Sequence, residues 1–107
     1  MSKAPSVTSS EFDVQVLQSE VPVLVDFYAD WCPPCRAVAP EVDAVAELVA
    51  GKAKVFKLDV DQFPDVESQY GVQTIPTMII FKNGKVVDRI NGAVPRSVIS
   101  EKLLAHV

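Results

Sequence analysis

The sequence has only two cysteines, one histidine and one tryptophan among its 107 residues. A tetrahedral zinc site built on Cys-x-x-Cys needs a second ligand pair, and His106 beside the C-terminus is the only further imidazole or thiol, so no such site can be assembled. No apolar run approaches the length of a membrane-crossing helix. The opening Met1-Ser2-Lys3-Ala4-Pro5-Ser6 has one positive charge and no apolar stretch of the secretory kind. Basic residues are also in deficit: ten Lys and Arg against fourteen Asp and Glu leave a formal net charge of −4. That balance argues against nucleic acid and against an anionic membrane surface as partners. There is no linker, internal repeat or low-complexity segment. A soluble, cytoplasmic protein is the expectation.

What remains is a folded composition, 49% hydrophobic and 22% charged. A chain of this length forms one domain, expected over 1–107, that buries roughly two-thirds of its extended-chain surface without metal or several disulfides. Charge is unevenly spread. Residues 1–50 carry eight acidic and two basic side chains, whereas residues 51–107 carry six and eight.

The two cysteines fall in the run Trp31-Cys32-Pro33-Pro34-Cys35, after an apolar strand-like stretch and before a helical pattern. Unpaired N–H groups and the dipole at a helix N-terminus favour a thiolate, the reactive form of cysteine. Cys32 is therefore the expected nucleophile, and Cys35, one turn further in, can attack a mixed disulfide on Cys32 and close an internal bridge. As a structural staple the pair would close a loop of only four residues, worth under ~2 kcal/mol against ~3 for fifteen residues. Inert core cysteines would not need two prolines between them. Dithiol–disulfide exchange is the reading that remains, and a reducing compartment favours it over a structural bridge.

Thr8-Ser9-Ser10-Glu11 fits a capping box, and Phe12, Val16 and Leu17 follow at helical spacing, which predicts a first short helix. Residues 21–29 read as a central strand covered on both faces. From Pro34 a stripe of Val38, Val42, Val45, Leu48 and Val49 predicts a long helix, bent at Pro40 and stopped by Gly51. Residues 54–60 read as a second buried strand and residues 63–71 as a short helix opened by proline and closed by glycine. Asn83-Gly84 between two apolar runs, 77–82 and 85–90, is a strong hairpin signal, and residues 95–105 form a closing helix. A parallel βαβ unit followed by an antiparallel hairpin implies an α/β fold, a central mixed β-sheet with helices on both faces.

Asp26 lies inside an otherwise apolar strand. Desolvation there raises a carboxyl pKa toward the range of a proton acceptor at neutral pH, although a carboxylate that merely bonds backbone at a strand end is the plainer alternative. Lys57, on the second strand, is in the plainer view a solvated face residue.

The chain resembles the thioredoxin family over nearly all its length. The resemblance is carried by Val25-Asp26-Phe27-Tyr28-Ala29-Asp30-Trp31-Cys32, Lys57-Leu58-Asp59-Val60-Asp61, Tyr70-Gly71-Val72, Ile75-Pro76-Thr77, Phe81-Lys82-Asn83-Gly84 and Gly92-Ala93, in order and at the family's spacing. It implies a single thioredoxin fold and a protein disulfide reductase activity, with no bound cofactor. It assigns Asp26 the task of moving the Cys35 proton through water, with Lys57 tuning it. It implies a cis bond between Ile75 and Pro76 that turns the Ile75 backbone toward Cys32, ready to pair with an extended substrate segment. Trp31, Pro34, Ile75, Gly92 and Ala93 would form an apolar rim around an exposed sulfur, with Thr74 at its border. Ordinary packing or turn chemistry is the alternative for each, above all for Gly92. The implied partners are disulfide-containing proteins and a flavin-containing, NADPH-dependent thioredoxin reductase, acting on a monomer.

The sequence departs from the family pattern at Pro33, where glycine is usual, so the loop loses an N–H donor and much of its flexibility. Tyr28, Thr74 and Asn91 also replace common residues, and the last two border the implied docking surface. Two other readings remain. A thiol oxidase or isomerase would have a potential near about −120 mV, whereas a reductase sits near about −270 mV. A docking module would keep its binding after loss of both cysteines.

Overall fold

In a computed structural model, residues 4–107 are described. The central strand β1 (Val23–Tyr28) pairs in parallel with β2 (Lys54–Asp59) and antiparallel with β3 (Thr77–Lys82), which in turn pairs antiparallel with β4 (Lys85–Asn91). The sheet order is β2-β1-β3-β4, mixed as expected. Asn83 and Gly84 both have positive φ, 54° and 78°, the type I′ geometry whose twist matches a two-residue hairpin.

Alternation along β1 and β3 divides the apolar residues between two cores. Val23, Val25, Phe27, Ile79 and Phe81 belong to one cluster with Phe12, Val16 and Val66. Leu24, Met78 and Ile80 belong to the other, with Val38, Val42 and Val45 of α1 (Pro33–Leu48) and Ile99 and Leu103 of α3 (Arg96–Leu104). Helices therefore cover both faces, and Asp26, between Val25 and Phe27, is buried in the middle of β1.

The first helix is short, as expected, and π-helical. The capping box forms, with the Thr8 N–H donating to Glu11 Oε1 at 3.0 Å and the Glu11 N–H donating to Thr8 Oγ1 at 3.3 Å. It leads only into a π-helical turn, Asp13–Leu17, in which the Gln18 N–H reaches the Asp13 carbonyl. Phe12 and Val16 are buried there and Leu17 only half-buried, too little apolar surface to extend a helix whose nucleation is costly. β1 opens at Val23, after Pro22, which has no N–H for the ladder.

Leu48 corrects the predicted stripe of α1. It is 62% exposed, because Val38, Val42, Val45 and Val49 already occupy the buried face and Leu48 projects beside it. The helix continues through Pro40, ends at Leu48, and leaves Gly51 in a left-handed turn at φ 86°. The short helix α2 (Pro64–Gln69) lies within the expected 63–71. At the free edge of β2, the Lys57 N–H donates to the Pro5 carbonyl and the Val7 N–H to the Lys57 carbonyl, so residues 5–7 cover unpaired backbone.

Candidate active site

The β1–α1 junction places the cysteines. Cys32 is the N-cap of α1, with extended backbone at φ −90° and ψ 111°, and Pro33 and Pro34 occupy the first helical positions, where a missing N–H breaks no intrahelical hydrogen bond. The Cys35 N–H donates to Cys32 Sγ at 3.3 Å. Sulfur thus does at this helix what a serine or aspartate oxygen does at most N-caps, and it accepts the first backbone N–H that two consecutive prolines leave available. The pair is joined as a disulfide, with Cα atoms 5.2 Å apart. An accessible Cys32 sulfur is expected from the sequence, yet each cysteine is only 3% exposed. In the oxidised state the Cys32 sulfur is covered by its partner and by the neighbouring loop.

That loop carries Ile75 and Pro76, joined by a cis peptide bond. Cys32 Sγ lies 3.8 Å from the Ile75 carbonyl oxygen. Gly92 is tied to the same loop by its N–H, which donates to the Pro76 carbonyl at 2.8 Å. Its φ of 88° accounts for the glycine on backbone grounds alone. Around this centre Trp31, Pro33, Pro34, Thr74 and Ala93 are exposed, Ile75 and Gly92 half-buried, and Pro76 buried.

Asp26 is 1% exposed, and burial pushes its pKa up from 3.8 to about 7. Lys57 opposes that rise and Asp43 adds to it. Asp26 Oδ1 is buried and accepts no hydrogen bond from any described residue. That finding leaves no support, at this oxygen, for a carboxylate kept only to bond backbone. Asp26 and Lys57 are direct register partners across β1 and β2. The Lys57 ammonium lies over the Tyr28 ring, 5.2 Å from its centroid, a cation–π distance. A small cavity of about 100 Å³ opens between Tyr28, Ala29, Cys35 and Lys57. It gives the inner cysteine a water-sized path toward Lys57, the neighbour of the buried carboxyl.

Three residues near this centre had no role assigned from sequence. Asp61 accepts the Trp31 indole N–H at 2.8 Å, and although it stands in a matched motif, nothing in the motif marks it as a partner of Trp31. Tyr28 is the platform for Lys57. Asp43 approaches from α1, and its Oδ1 accepts the Ala4 N–H at 3.0 Å. Its signal is spatial only.

A cysteine pair at a helix N-terminus, faced by a cis-proline loop and backed by a buried carboxyl, defines a thiol–disulfide oxidoreductase. Comparison with known proteins agrees. The thioredoxin family model matches residues 3–105. Thioredoxin 1 of Nostoc sp. is 53% identical over 107 residues, covering all of both chains. Thioredoxin of Synechocystis sp. is 50% identical over 103 residues, 96% of each chain. Thioredoxin M-type, chloroplastic, of Pisum sativum is 46% identical over 101 residues, 94% of this chain and 59% of that one. The chain belongs to the thioredoxin family, and its mixed sheet with helices on both faces is the thioredoxin fold.

Proposed function

We propose that this thiol–disulfide oxidoreductase works as a protein disulfide reductase in which Cys32 attacks and Cys35 resolves. The observation that carries the assignment is the N-cap position of Cys32, whose sulfur accepts the Cys35 N–H while Cys35 sits inside the helix. Burial does not separate the two sulfurs; helix position does.

In the reduced protein the Cys32 thiolate attacks one sulfur of a substrate disulfide. That S–S bond breaks, a mixed disulfide forms, and the first substrate thiolate leaves and takes a proton. The Cys35 thiol passes its proton to the Asp26 carboxylate through water, and Lys57 tunes that acceptor. Cys35 sulfur then attacks Cys32 sulfur, the mixed disulfide breaks, and the second substrate thiolate leaves. Two electrons have moved to the substrate, and the Cys32–Cys35 bridge remains. The Ile75 backbone, with Trp31, Pro34, Pro76, Gly92, Ala93 and Thr74 around it, docks the substrate segment. A flavin-containing, NADPH-dependent thioredoxin reductase returns the electrons, and the chain acts as a monomer, one domain over 1–107, in the reducing cytoplasm.

The test is a trapping experiment with a model disulfide protein. Cys32→Ser should abolish turnover, and Cys35→Ser should accumulate a covalent adduct through Cys32. Turnover at the parental rate in either variant would overturn the assignment.

A further inference from the structure

A second concavity adjoins the docking loop. It has a volume of about 250 Å³ and is lined by Gln73, Thr74, Thr77, Arg89 and Asn91, together with Gly71 and Val72. No acidic side chain lines it. Arg89 is exposed and, among the described residues, belongs to no ion pair; the neighbouring Asp88 carboxylate is engaged by Lys102 at 3.7 Å. One guanidinium N–H of Arg89 donates to the Tyr70 carbonyl. Tyr70 is itself held by ring contacts with Phe12 and Phe81, at 5.5 and 5.1 Å between centroids. The cation is therefore anchored at the wall by one donor, and the rest of its five-donor fork is available for a carboxylate.

The groove is tied to the docking loop. Thr77 Oγ1 donates to the Thr74 carbonyl at 2.6 Å and lies 3.3 Å from Asn91 Oδ1, and the Gly92 N–H, next in chain, donates to the Pro76 carbonyl. An extended segment pairing with Ile75 would thus run past a groove whose walls are hydrogen-bonded to that loop. The chain's net charge of −4 disfavours an acidic segment at long range, so a local, unpaired cation is what can capture one.

We propose that this groove is a specificity subsite, in which Arg89 selects disulfide substrates carrying an Asp or Glu side chain close to the target cysteine. The inference rests on the reductase reading above and adds a substrate class to it. Gln73, Thr74 and Asn91 supply the polar walls, and Arg89 supplies the charge that discriminates.

The experiment uses the reduced full chain and a set of synthetic peptide disulfides identical except for Glu, Gln or Lys at positions flanking the cysteine. Each rate constant is divided by the rate for dithiothreitol, which removes the intrinsic effect of the flanking charge on the disulfide. The Glu peptide should exceed the Gln peptide by about two- to five-fold, the range of an exposed ion pair, and the Lys peptide should fall below both. The Glu/Gln ratio should approach one at high salt. Arg89→Gln should bring it to about one at low salt, Arg89→Glu should invert it, and Arg89→Lys should keep part of it because charge survives without the fork. Equal ratios in the parental protein, or a ratio that Arg89→Gln leaves intact, would overturn the subsite. Failure of every peptide to be reduced would overturn the reductase reading instead. If Arg89→Gln does not fold, the salt dependence of the parental Glu/Gln ratio decides alone.

Discussion

Asp26 and Lys57 stand directly opposite each other across two parallel strands, the carboxyl 1% exposed inside the sheet and the ammonium resting over the Tyr28 ring. Burial raises the Asp26 pKa to about 7, and Lys57 keeps it from rising further. A carboxyl so placed changes charge near neutral pH, as the proton acceptor proposed for Cys35 must. Holding a carboxyl in that state costs stability.

The unfolded chain releases the Asp26 proton near its ordinary value of 3.8, while the folded chain holds it up to about 7. Between those values the folded state binds more protons, so this group's contribution falls as pH rises from about 4 to 7 and is level above. Three units at about 1.4 kcal/mol each give a loss of about 4 kcal/mol. Asp26→Asn removes the dependence. In urea denaturation of the disulfide form, the stability gap between Asp26→Asn and the parent should therefore be about 4 kcal/mol larger at pH 8 than at pH 4. A gap that does not change with pH would mean that the carboxyl is not held neutral by burial.

Lys57→Met keeps the apolar stem and deletes the charge that lowers the Asp26 pKa. The pH profile of the resolving step should move upward. One unit of movement cuts the ionised fraction of Asp26 at pH 7 from about a half to about a tenth, with a matching fall in rate. Tyr28→Leu should shift the profile the same way but less, because it frees the ammonium without removing it. Tyr28→Phe retains the ring and should leave the midpoint in place. Rapid-quench measurement of mixed-disulfide decay across pH reads all three.

Which of these features sequence can carry follows from how local each one is. The redox pair, the Asn83-Gly84 turn and the Thr8–Glu11 box are determined within a few residues, and the structure reproduces each of them. Asp26 stood out because one polar residue interrupts an apolar strand, a contrast that survives folding. Leu48 was misplaced because helical periodicity gives the width of a stripe only to within one residue at its edge. Trp31 with Asp61, and Arg89 with the Tyr70 carbonyl, are joined across 30 and 19 residues by the way loops fold over the sheet, and no local pattern encodes them.

Asp61 accepts the Trp31 indole N–H at 2.8 Å while Trp31 remains 64% exposed, so this bond helps to fix the ring's orientation beside the active site. Asp61→Ala should free the ring and weaken docking of protein substrates. Losing one hydrogen bond should raise KM roughly two- to ten-fold with kcat unchanged, since the bond touches neither sulfur. Steady-state reduction of a protein disulfide separates the two constants. A fall in kcat at constant KM would place Trp31 in the chemical step.

Pro33 and Pro34 leave Cys32 Sγ with one N–H donor from the first turn of α1, that of Cys35 at 3.3 Å. Pro33→Gly returns one N–H to that turn and loosens the loop. A further donor favours the charged form, so the Cys32 thiol pKa should fall. Two opposed effects on alkylation then follow. Below the pKa more of the thiol is ionised; above it every thiolate is a weaker nucleophile, since nucleophilicity drops with basicity at a Brønsted slope of about 0.4–0.5. A fall of about half a unit would raise the ionised fraction about three-fold at low pH and lower intrinsic reactivity about 1.7-fold. Iodoacetamide alkylation of the reduced variant should therefore be faster than the parent's on the acid side of the thiol titration and slower on the alkaline side, with the two profiles crossing between. If the profiles superimpose, Pro33 withholds nothing from the sulfur, and the rigidity of the loop is its only contribution.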